Sequence, residues 1–154
     1  MKLVTGISHV ATVTEDLDRM AAFYHRIFGA TLGDVMEEEG LRHQLIMLGD
    51  EVALHPFELS WKQPDQRFEM FDRGRIDHFG VTAPTFEALL EIRDRLLAED
   101  GGASTDAQIR DFGPLYSLHF VDPDGVDLEV NVFKDDWTDM EVLKRQDWTV
   151  VEAV

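Results

Sequence analysis

The sequence predicts an α+β protein made of two tandem β-α-β-β-β modules that form one curved mixed sheet. Three observations predict this fold. The order of one strand, one helix and three strands occurs twice along the chain, and the two copies have nearly the same length. Within each copy, strand-like runs of alternating apolar and polar residues flank one segment whose apolar residues recur at helical spacing.

Module one is predicted over about residues 5–57. The run Ile7–Val13 predicts the first strand, and Thr14-Glu15-Asp16 is typical of a helix start with acidic residues in its first turn. Gly29 ends the helix, whose apolar residues at helical spacing are Leu17, Met20, Ala21, Tyr24, Ile27 and Phe28. A Gly49-Asp50 turn joins the last two of the three strands that follow, which are Thr31–Glu37, Leu41–Leu48 and Glu51–Phe57.

Module two is predicted over about residues 75–134 and repeats this order. Its first strand is Arg75–Thr82, and Pro84 suits the first position of the helix. Gly101-Gly102 follows the helix, whose amphipathic stripe consists of Phe86, Leu89, Leu90, Arg93, Leu96 and Leu97. A turn at residues 122–125 joins the last two strands, and the three strands are Ala107–Asp111, Leu115–Val121 and Val126–Phe133.

The two modules are expected to form a single domain, residues 1–154, with a linker at 58–74 and a C-terminal tail at 135–154. We expect the linker, which contains Trp61 and Phe68, to be a surface crossover rather than a substrate lid. The acidic tail is either a short helix or an arm that docks on the body or on a partner subunit.

The chain is strongly acidic and lacks cysteine. Its 154 residues include 14 Lys+Arg and 31 Asp+Glu, and the formal net charge of −17 argues against nucleic acid or a membrane as partner. No run approaches the roughly 18 apolar residues that a membrane helix requires, and no signal-peptide pattern opens the sequence. We therefore expect a cytoplasmic protein in which His, Asp or Glu holds any metal.

Four metal-competent side chains occupy equivalent positions in the two modules. His9 overlays His78 in the first strands, and His55 overlays Glu129 in the last strands. Strand alternation places His9, His78 and Glu129 opposite the apolar residues that follow or flank them. We therefore expect these three side chains to face one concavity, a metal cavity that the sheet surrounds.

Two imidazoles and one carboxylate on rigid strands can hold one face of a divalent ion and leave positions open for substrate and water. Such an ion acts as a Lewis acid, or activates dioxygen if it is Fe(II). Each of the three residues taken alone would more often be a hydrogen-bonded structural group, but their equivalent positions in the repeat favour a shared ion. Fe2+, Mn2+, Ni2+, Zn2+ and Co2+ all suit this donor set.

The remaining histidines are less informative. His119 shares a strand face with Ser117, and this position suits a proton donor or substrate contact as well as a histidine bonded to a neighbouring strand. We interpret His25, on the first helix, and His43 as surface or packing residues.

The double β-α-β-β-β order, the Ile-x-His openings at Ile7 and Ile76, and the segment SLHFVDPDGVDLE (Ser117–Glu129) resemble the vicinal oxygen chelate superfamily. This superfamily includes glyoxalase I, the extradiol ring-cleaving dioxygenases, methylmalonyl-CoA epimerase and the fosfomycin and bleomycin resistance proteins. The resemblance covers about residues 5–134. It implies that His9, His78 and Glu129 are metal ligands and that the protein is a homodimer.

The resemblance also implies catalytic roles for His55, His119 and Tyr116. At the position of His55, glyoxalase I usually has a second glutamate and the epimerase typically has glutamine, whereas the extradiol dioxygenases have an acid–base histidine nearby. The dioxygenase tyrosine ten residues before the glutamate is matched by His119, and Tyr116 lies three residues earlier. Pro56 suggests an edge or a bend beside His55, which favours proton transfer over metal ligation for this histidine.

These inferences predict a metal-dependent enzyme that acts on a small substrate chelating the ion through adjacent oxygens. The histidine at position 55 slightly favours an extradiol-dioxygenase-like reaction over the reaction of a glyoxalase-type isomerase, lyase or epimerase. A metal-free protein that binds a small-molecule drug is the third interpretation, and the intact His/His/Glu set argues against it.

Overall fold

Each half of the sequence contributes one helix and one mixed sheet in the computed structural model of the chain, which confirms the predicted α+β fold. The structure describes residues 8–50, 52–60, 76 and 78–134, without the side chain of Val52. The chain divides into two compact units, which are unit 1 within Met1–Arg67 and unit 2 within Phe68–Val154. Most of the predicted linker and the whole predicted tail lie outside the described residues, so their roles remain predictions.

Unit 1 has the order strand, helix and three further strands, two of which are interrupted. The elements are β1 (His9–Thr14), α1 (Leu17–Phe28), β2 (Thr31–Leu32), β3 (Met36–Glu38), β4 (Leu41–His43), β5 (Ile46–Leu48) and β6 (Val52–Leu59). Strand β6 pairs in parallel with β1 and antiparallel with β5 and β4, while β2 pairs with β5 and β3 with β4. Strand β6 extends two residues beyond the predicted end at Phe57.

Helix α1 has the boundaries that its local sequence predicts. The Asp16 side chain accepts a hydrogen bond from the backbone N–H of Arg19, and Gly29 ends the helix with φ 67° in the left-handed region. One face of α1 is fully buried and packs against β6. Phe23 belongs to this face with no exposed surface, although the predicted stripe omitted it.

The predicted strand Leu41–Leu48 is present in two pieces, β4 and β5, that keep one register against β6. The gap at residues 44–45 lies opposite Pro56. The N–H of Ala53 donates to the carbonyl of Ser8, so odd-numbered residues of β6 direct their N–H groups to β1 and even-numbered residues to β4 and β5. Pro56 has an even number and no N–H, so the ladder is broken at this point.

Unit 2 repeats the same order with strands that are mostly continuous. The elements are β7 (Phe79–Thr82), α2 (Phe86–Leu97), β8 (Ser104–Asp111), β9 (Leu115–Val121) and β10 (Asp127–Phe133). Strand β10 pairs in parallel with β7 and antiparallel with β9, and β9 pairs with β8. The side chain of Thr85 caps α2, so Pro84 precedes the cap instead of standing in the first turn as predicted.

Strand β8 begins three residues earlier than predicted and contains an irregularity. Its register against β9 shifts between Thr105 and Ile109, and Ala107 within that stretch has a φ of 58°. The helix-facing side of the sheet is fully buried at Ile109, Leu118, Phe120, Leu128 and Val130. Neither helix in the described part of the chain is long and apolar enough to cross a membrane.

Candidate metal centre

His78 and Glu129 lie together on the sheet face of unit 2 that is opposite α2. Gly80 of β7 pairs with Glu129 of β10 in parallel register, and His78 precedes Gly80 by two residues, so strand alternation gives all three the same face. The Nε2 atom of His78 is 3.4 Å from Oε1 of Glu129. The parallel pairing of the first and last strands of this module therefore brings two of the predicted ligands together.

Gly80 provides the space through which the Glu129 side chain passes. A Cβ atom at Gly80 would lie 3.5 Å from Cγ and 3.6 Å from Oε1 of Glu129, and 2.8 Å from Nδ2 of Asn131. The first two distances are ordinary contacts, whereas the third requires the Asn131 amide to move. A small residue at position 80 thus lets the carboxylate approach His78 across the strand.

Ser117 fixes the orientation of the Glu129 carboxylate. Its Oγ donates a hydrogen bond of 2.7 Å to Oε2 of Glu129, and the residue is only 4% exposed. The other oxygen, Oε1, is the one that lies near His78. Hydrogen bonds of this kind orient carboxylate ligands and tune their affinity for metal ions.

The donor set of unit 2 fits a divalent ion. Nε2 of His78 and Oε1 of Glu129 are close enough to share one ion, which they would hold from one side. The separation of 3.4 Å also suits a direct contact between the imidazole and the carboxylate. Imidazole nitrogen and carboxylate oxygen together are typical ligands of Fe2+, Mn2+, Zn2+ and related ions.

His119 is adjacent to Glu129, and Tyr116 is not. His119 is the register partner of Glu129 on β9, and its buried Nε2 atom has no hydrogen-bond partner among the described residues. The nearest acidic oxygen, Oδ1 of Asp127, is 3.6 Å away from this atom. Tyr116 lies on the opposite sheet face, where its ring contacts Phe86 of α2 at 4.8 Å between centroids. The sheet therefore separates Tyr116 from the His78–Glu129 pair.

Unit 1 presents three histidines on the sheet face opposite α1. Ala11 of β1 pairs with His55, and His43 of β4 pairs with Phe57, so the histidines of β1, β4 and β6 share this face. Nδ1 of His43 is 2.9 Å from Nε2 of His55, a hydrogen-bond distance. The rings of His9 and His55 lie edge to face with centroids 5.7 Å apart.

His43 was missed as a functional candidate, because its interpretation as a surface or packing residue did not consider the register of β4 against β6. The register places it one position diagonally from His55, at hydrogen-bond distance. By contrast, His25 is exposed, and its Nδ1 contacts the carbonyl of Ala30 at 2.9 Å, beyond the end of α1. Its contact is a local one at the helix end.

The His55 imidazole is kept neutral by its surroundings. Partial burial lowers the pKa of His55, and the neighbouring His43 and His9 lower the pKa further. The ring of Phe57 covers one side of it, with centroids 4.3 Å apart. A neutral imidazole at neutral pH is able to accept a proton.

Within each unit, no three described His, Asp or Glu side chains lie close enough together to hold a metal ion. The predicted ligands are divided, with His9 in unit 1 and His78 and Glu129 in unit 2. The full set of three therefore remains a prediction.

Each unit is a β-α-β-β-β module with a helix on one face of a mixed sheet and metal-competent side chains on the other. Residues 6–130 match the family model described as the glyoxalase/bleomycin resistance protein/dioxygenase superfamily. The chain belongs to this superfamily, which confirms the resemblance seen in its strand openings and in the segment Ser117–Glu129.

Solved structures show the same fold at low sequence identity. A glyoxylase/bleomycin resistance protein/dioxygenase domain from Frankia sp. EAN1pec has a TM-score of 0.73 and 20% identity, covering 90% of this chain and 98% of that one. The fosfomycin resistance protein FosX from Listeria monocytogenes has a TM-score of 0.66 and 19% identity, with coverages of 86% and 96%. A superfamily protein from Alicyclobacillus acidocaldarius has a TM-score of 0.59 and 20% identity, with coverages of 85% and 93%. No curated protein matches the chain significantly.

Proposed function

We propose that this protein is a metal-dependent enzyme that acts on a small substrate binding the ion through two adjacent oxygens. The observation that carries the proposal is the approach of His78 to Glu129 at 3.4 Å, with the carboxylate held by Ser117. Membership of a superfamily that contains glyoxalases and dioxygenases supports it.

In this proposal His9, His78 and Glu129 hold one divalent ion. When bound, the ion supplies Lewis-acid chemistry at the substrate oxygens, and Fe2+ adds chemistry with dioxygen. Fe2+ is the favoured ion because His9, His78 and Glu129, with a further histidine at position 55, resemble the metal site of the extradiol dioxygenases. FosX from Listeria monocytogenes has been crystallised with Mn(II), which supports Mn2+ as an alternative. Zn2+, Ni2+ and Co2+ suit the same donors.

His55 is proposed to transfer protons to and from the substrate. Its lowered pKa keeps the ring neutral, so it can accept a proton at neutral pH and return it later. Replacing His55 with Ala should leave the ion bound and lower turnover on the order of 10²-fold. A His55→Ala variant that instead binds the ion about as weakly as a His78→Ala variant would assign His55 as a ligand.

His119 is proposed as a second polar contact for the substrate. It is the cross-strand partner of Glu129, and its side chain is 37% exposed on the same sheet face. Tyr116, which packs against α2, is left out of the proposed site.

The proposal is tested by metal content and affinity. Protein purified without added metal is expected to carry one divalent ion per chain, detected by elemental analysis and native mass spectrometry. His9→Ala, His78→Ala and Glu129→Ala should each weaken Mn2+ binding by roughly tenfold or more in calorimetric titration, and Ser117→Ala by about tenfold. His25→Ala is the matched control and should bind Mn2+ like the unmodified chain. No stoichiometric ion in either measurement would remove the basis of the proposal.

The reaction is tested with substrates of two kinds. Oxygen uptake with a series of catechols would support the extradiol-dioxygenase-like reaction, which the histidine at position 55 favours. Conversion of hemithioacetals without oxygen uptake would support the glyoxalase-type alternative, and epimerisation of a 2-substituted acyl thioester would support the epimerase. Binding of a drug-like cation by protein that takes up no metal would instead indicate a sequestering protein.

A further inference from the structure

We infer that His43 is a positioning residue that holds His55 in one tautomer, with the proton on Nε2 and a lone pair on Nδ1. The inference rests on the proposed function in one respect, the role of His55 as a proton-transfer group. The tautomer itself is a property of the chain without metal or substrate, so it can be tested separately.

The geometry of the pair comes from the sheet. Cross-strand pairing of His43 with Phe57 sets His43 diagonally from His55 on the same face. The rings of His43 and Phe57 stack at 18° with centroids 5.1 Å apart, and the rings of His43 and His55 are 5.0 Å apart. Backbone register and the shared Phe57 contact thus hold both imidazoles in place.

One nitrogen of each ring is used by the contact. Nδ1 of His43 and Nε2 of His55 are 2.9 Å apart, and only one proton can lie between them. Among the described residues, no hydrogen bond reaches Nδ1 of His55 or Nε2 of His43. The direction of the hydrogen bond therefore decides whether Nδ1 of His55 is a donor or an acceptor.

The two possible directions of the hydrogen bond between His43 and His55 differ in the free energy of the tautomers that they require. If His55 donates from Nε2, both rings have the Nε2–H tautomer, which is the more stable one for neutral histidine. If His43 donates from Nδ1, both rings have the less stable Nδ1–H tautomer. The first arrangement leaves a lone pair on Nδ1 of His55, the form required to accept a proton from a substrate.

The bond also limits metal ligation by His55, because its Nε2 is occupied. His43 would have to turn away before Nε2 of His55 could bind an ion. While the pair is intact, Nδ1 is the ring nitrogen of His55 that has no hydrogen bond among the described residues, and the ring stack on Phe57 opposes rotation of His43. His43 thus favours a proton-transfer role for its neighbour.

The experiment is 15N NMR of the imidazole rings in the metal-free chain at mildly alkaline pH, where free histidine is neutral. We expect His55 to show a protonated Nε2 and an unprotonated Nδ1, with a through-hydrogen-bond coupling between its Nε2 and Nδ1 of His43. A protonated Nδ1 on His55, or no coupling to His43, would overturn the inference.

Variants test the positioning effect. His43→Phe keeps a ring against Phe57 but removes the hydrogen-bond acceptor. The population ratio of the Nε2–H to the Nδ1–H tautomer of His55 should then fall about tenfold. His43→Asn places an amide oxygen near the former Nδ1 and should restore the single tautomer. His25→Phe, the control, should leave the His55 signals unchanged. Equal His55 spectra in His43→Phe and the unmodified chain would contradict the inference whether or not the protein binds a metal.

Discussion

At the scale of single residues, the site depends on small differences in side-chain size. Gly80 and Ser117 have no group that could bind a metal tightly, yet one leaves room for Glu129 and the other holds its carboxylate. Gly80 lies on β7 and is the register partner of Glu129. Ser117 lies on β9 and is the register partner of Asn131, two residues from Glu129 on the same face of β10. Their roles follow from contact with a proposed ligand.

Substitution of Gly80 is expected to have a graded effect on metal binding. Gly80→Ala should change Mn2+ affinity little, because its Cβ makes ordinary contacts with Glu129 and only displaces the Asn131 amide. Gly80→Val should weaken Mn2+ binding by roughly tenfold or more, because its methyl groups fill the space between His78 and Glu129. Calorimetric titration measures both, with Thr82→Ala, two residues along the same strand face, as control. Equal affinities for Gly80→Val and the unmodified chain would show that this space is not needed.

The sequence predicts the residues of the His78–Glu129 pair but not those that support it. Alternation along a strand is local, and it correctly assigns Glu129 to the face opposite the buried Leu128 and Val130. The contacts of His43 with His55 and of Ser117 with Glu129 depend on cross-strand register, which a single strand does not reveal.

At the scale of elements, an ion pair joins the ends of two strands that are not neighbours in the sheet. Lys134 follows β10, and its Nζ donates a 2.7 Å hydrogen bond to Oδ1 of Asp111 at the end of β8. This hydrogen bond, together with one from the N–H of Gly113, lowers the pKa of Asp111 below its ordinary value. The pair thus connects the two sides of β9 at one end of the sheet.

The Asp111–Lys134 interaction should depend on pH in a defined direction. Because the pKa of Asp111 is lower in the folded state, the unfolded chain binds more protons, and the stabilisation is present above the ordinary carboxyl pKa and is lost as pH falls through the lowered value. A double-mutant cycle with Asp111→Asn and Lys134→Met, followed by urea unfolding, should give a coupling of about 0.5–1 kcal/mol at neutral pH, since both side chains are partly exposed.

The coupling should then shrink as the medium is acidified toward the ordinary carboxyl pKa and below. The contact of Lys134 with the Tyr116 ring, at 4.3 Å, does not involve the carboxylate, and the cycle separates it from the Asp111 term. A coupling energy that stays constant over this range would contradict the assignment.

Prediction of the elements succeeded where the signals are local. The bounds of α1 follow from Asp16 and Gly29, which act within one turn of the helix ends. The break between β4 and β5 was not predicted, because it results from the N–H that Pro56 lacks on the neighbouring strand. The extra length of β8 was likewise not predicted, because it depends on the pairing of Ser104 and Thr105 with the neighbouring β9.

At the scale of the whole molecule, the repeat was predictable because both modules have the same order of elements and the same parallel pairing of first and last strands. In each unit, this parallel pairing places residues of the first strand beside residues of the last strand. The sequence alone predicted the module order well, since each module contains its own helix signals and turn residues.

The protein is expected to be a homodimer in solution. Unit 1 exposes several large apolar side chains, and such exposure favours association. They include Leu32 at 37%, Val35 at 44%, Met36 at 44% and Leu45 at 39% exposure. Sedimentation equilibrium at micromolar concentration should give twice the chain mass of 17.6 kDa. A mass of one chain at all concentrations would exclude the dimer.

Charged substitutions test which surface associates. The double variant Val35→Lys/Met36→Lys should weaken the dimer, because it would bury charged ammonium groups in an apolar interface. Leu97→Lys, on α2 of unit 2, is the control, since Leu97 is 60% exposed but outside this group of residues. Loss of the dimer in Leu97→Lys alone would assign the association to the helix of unit 2.

Ala11 is the register partner of His55, and Gly80 is the register partner of Glu129, so Ala11 and Gly80 occupy equivalent positions in the two modules. They differ by one methyl group. At the partner positions, unit 2 has the Glu129 carboxylate and unit 1 has the His55 imidazole. Replacing His55 with Glu would therefore give each unit one histidine at or next to the start of its first strand and one glutamate on its last strand, so that both halves would offer the same pair of donors.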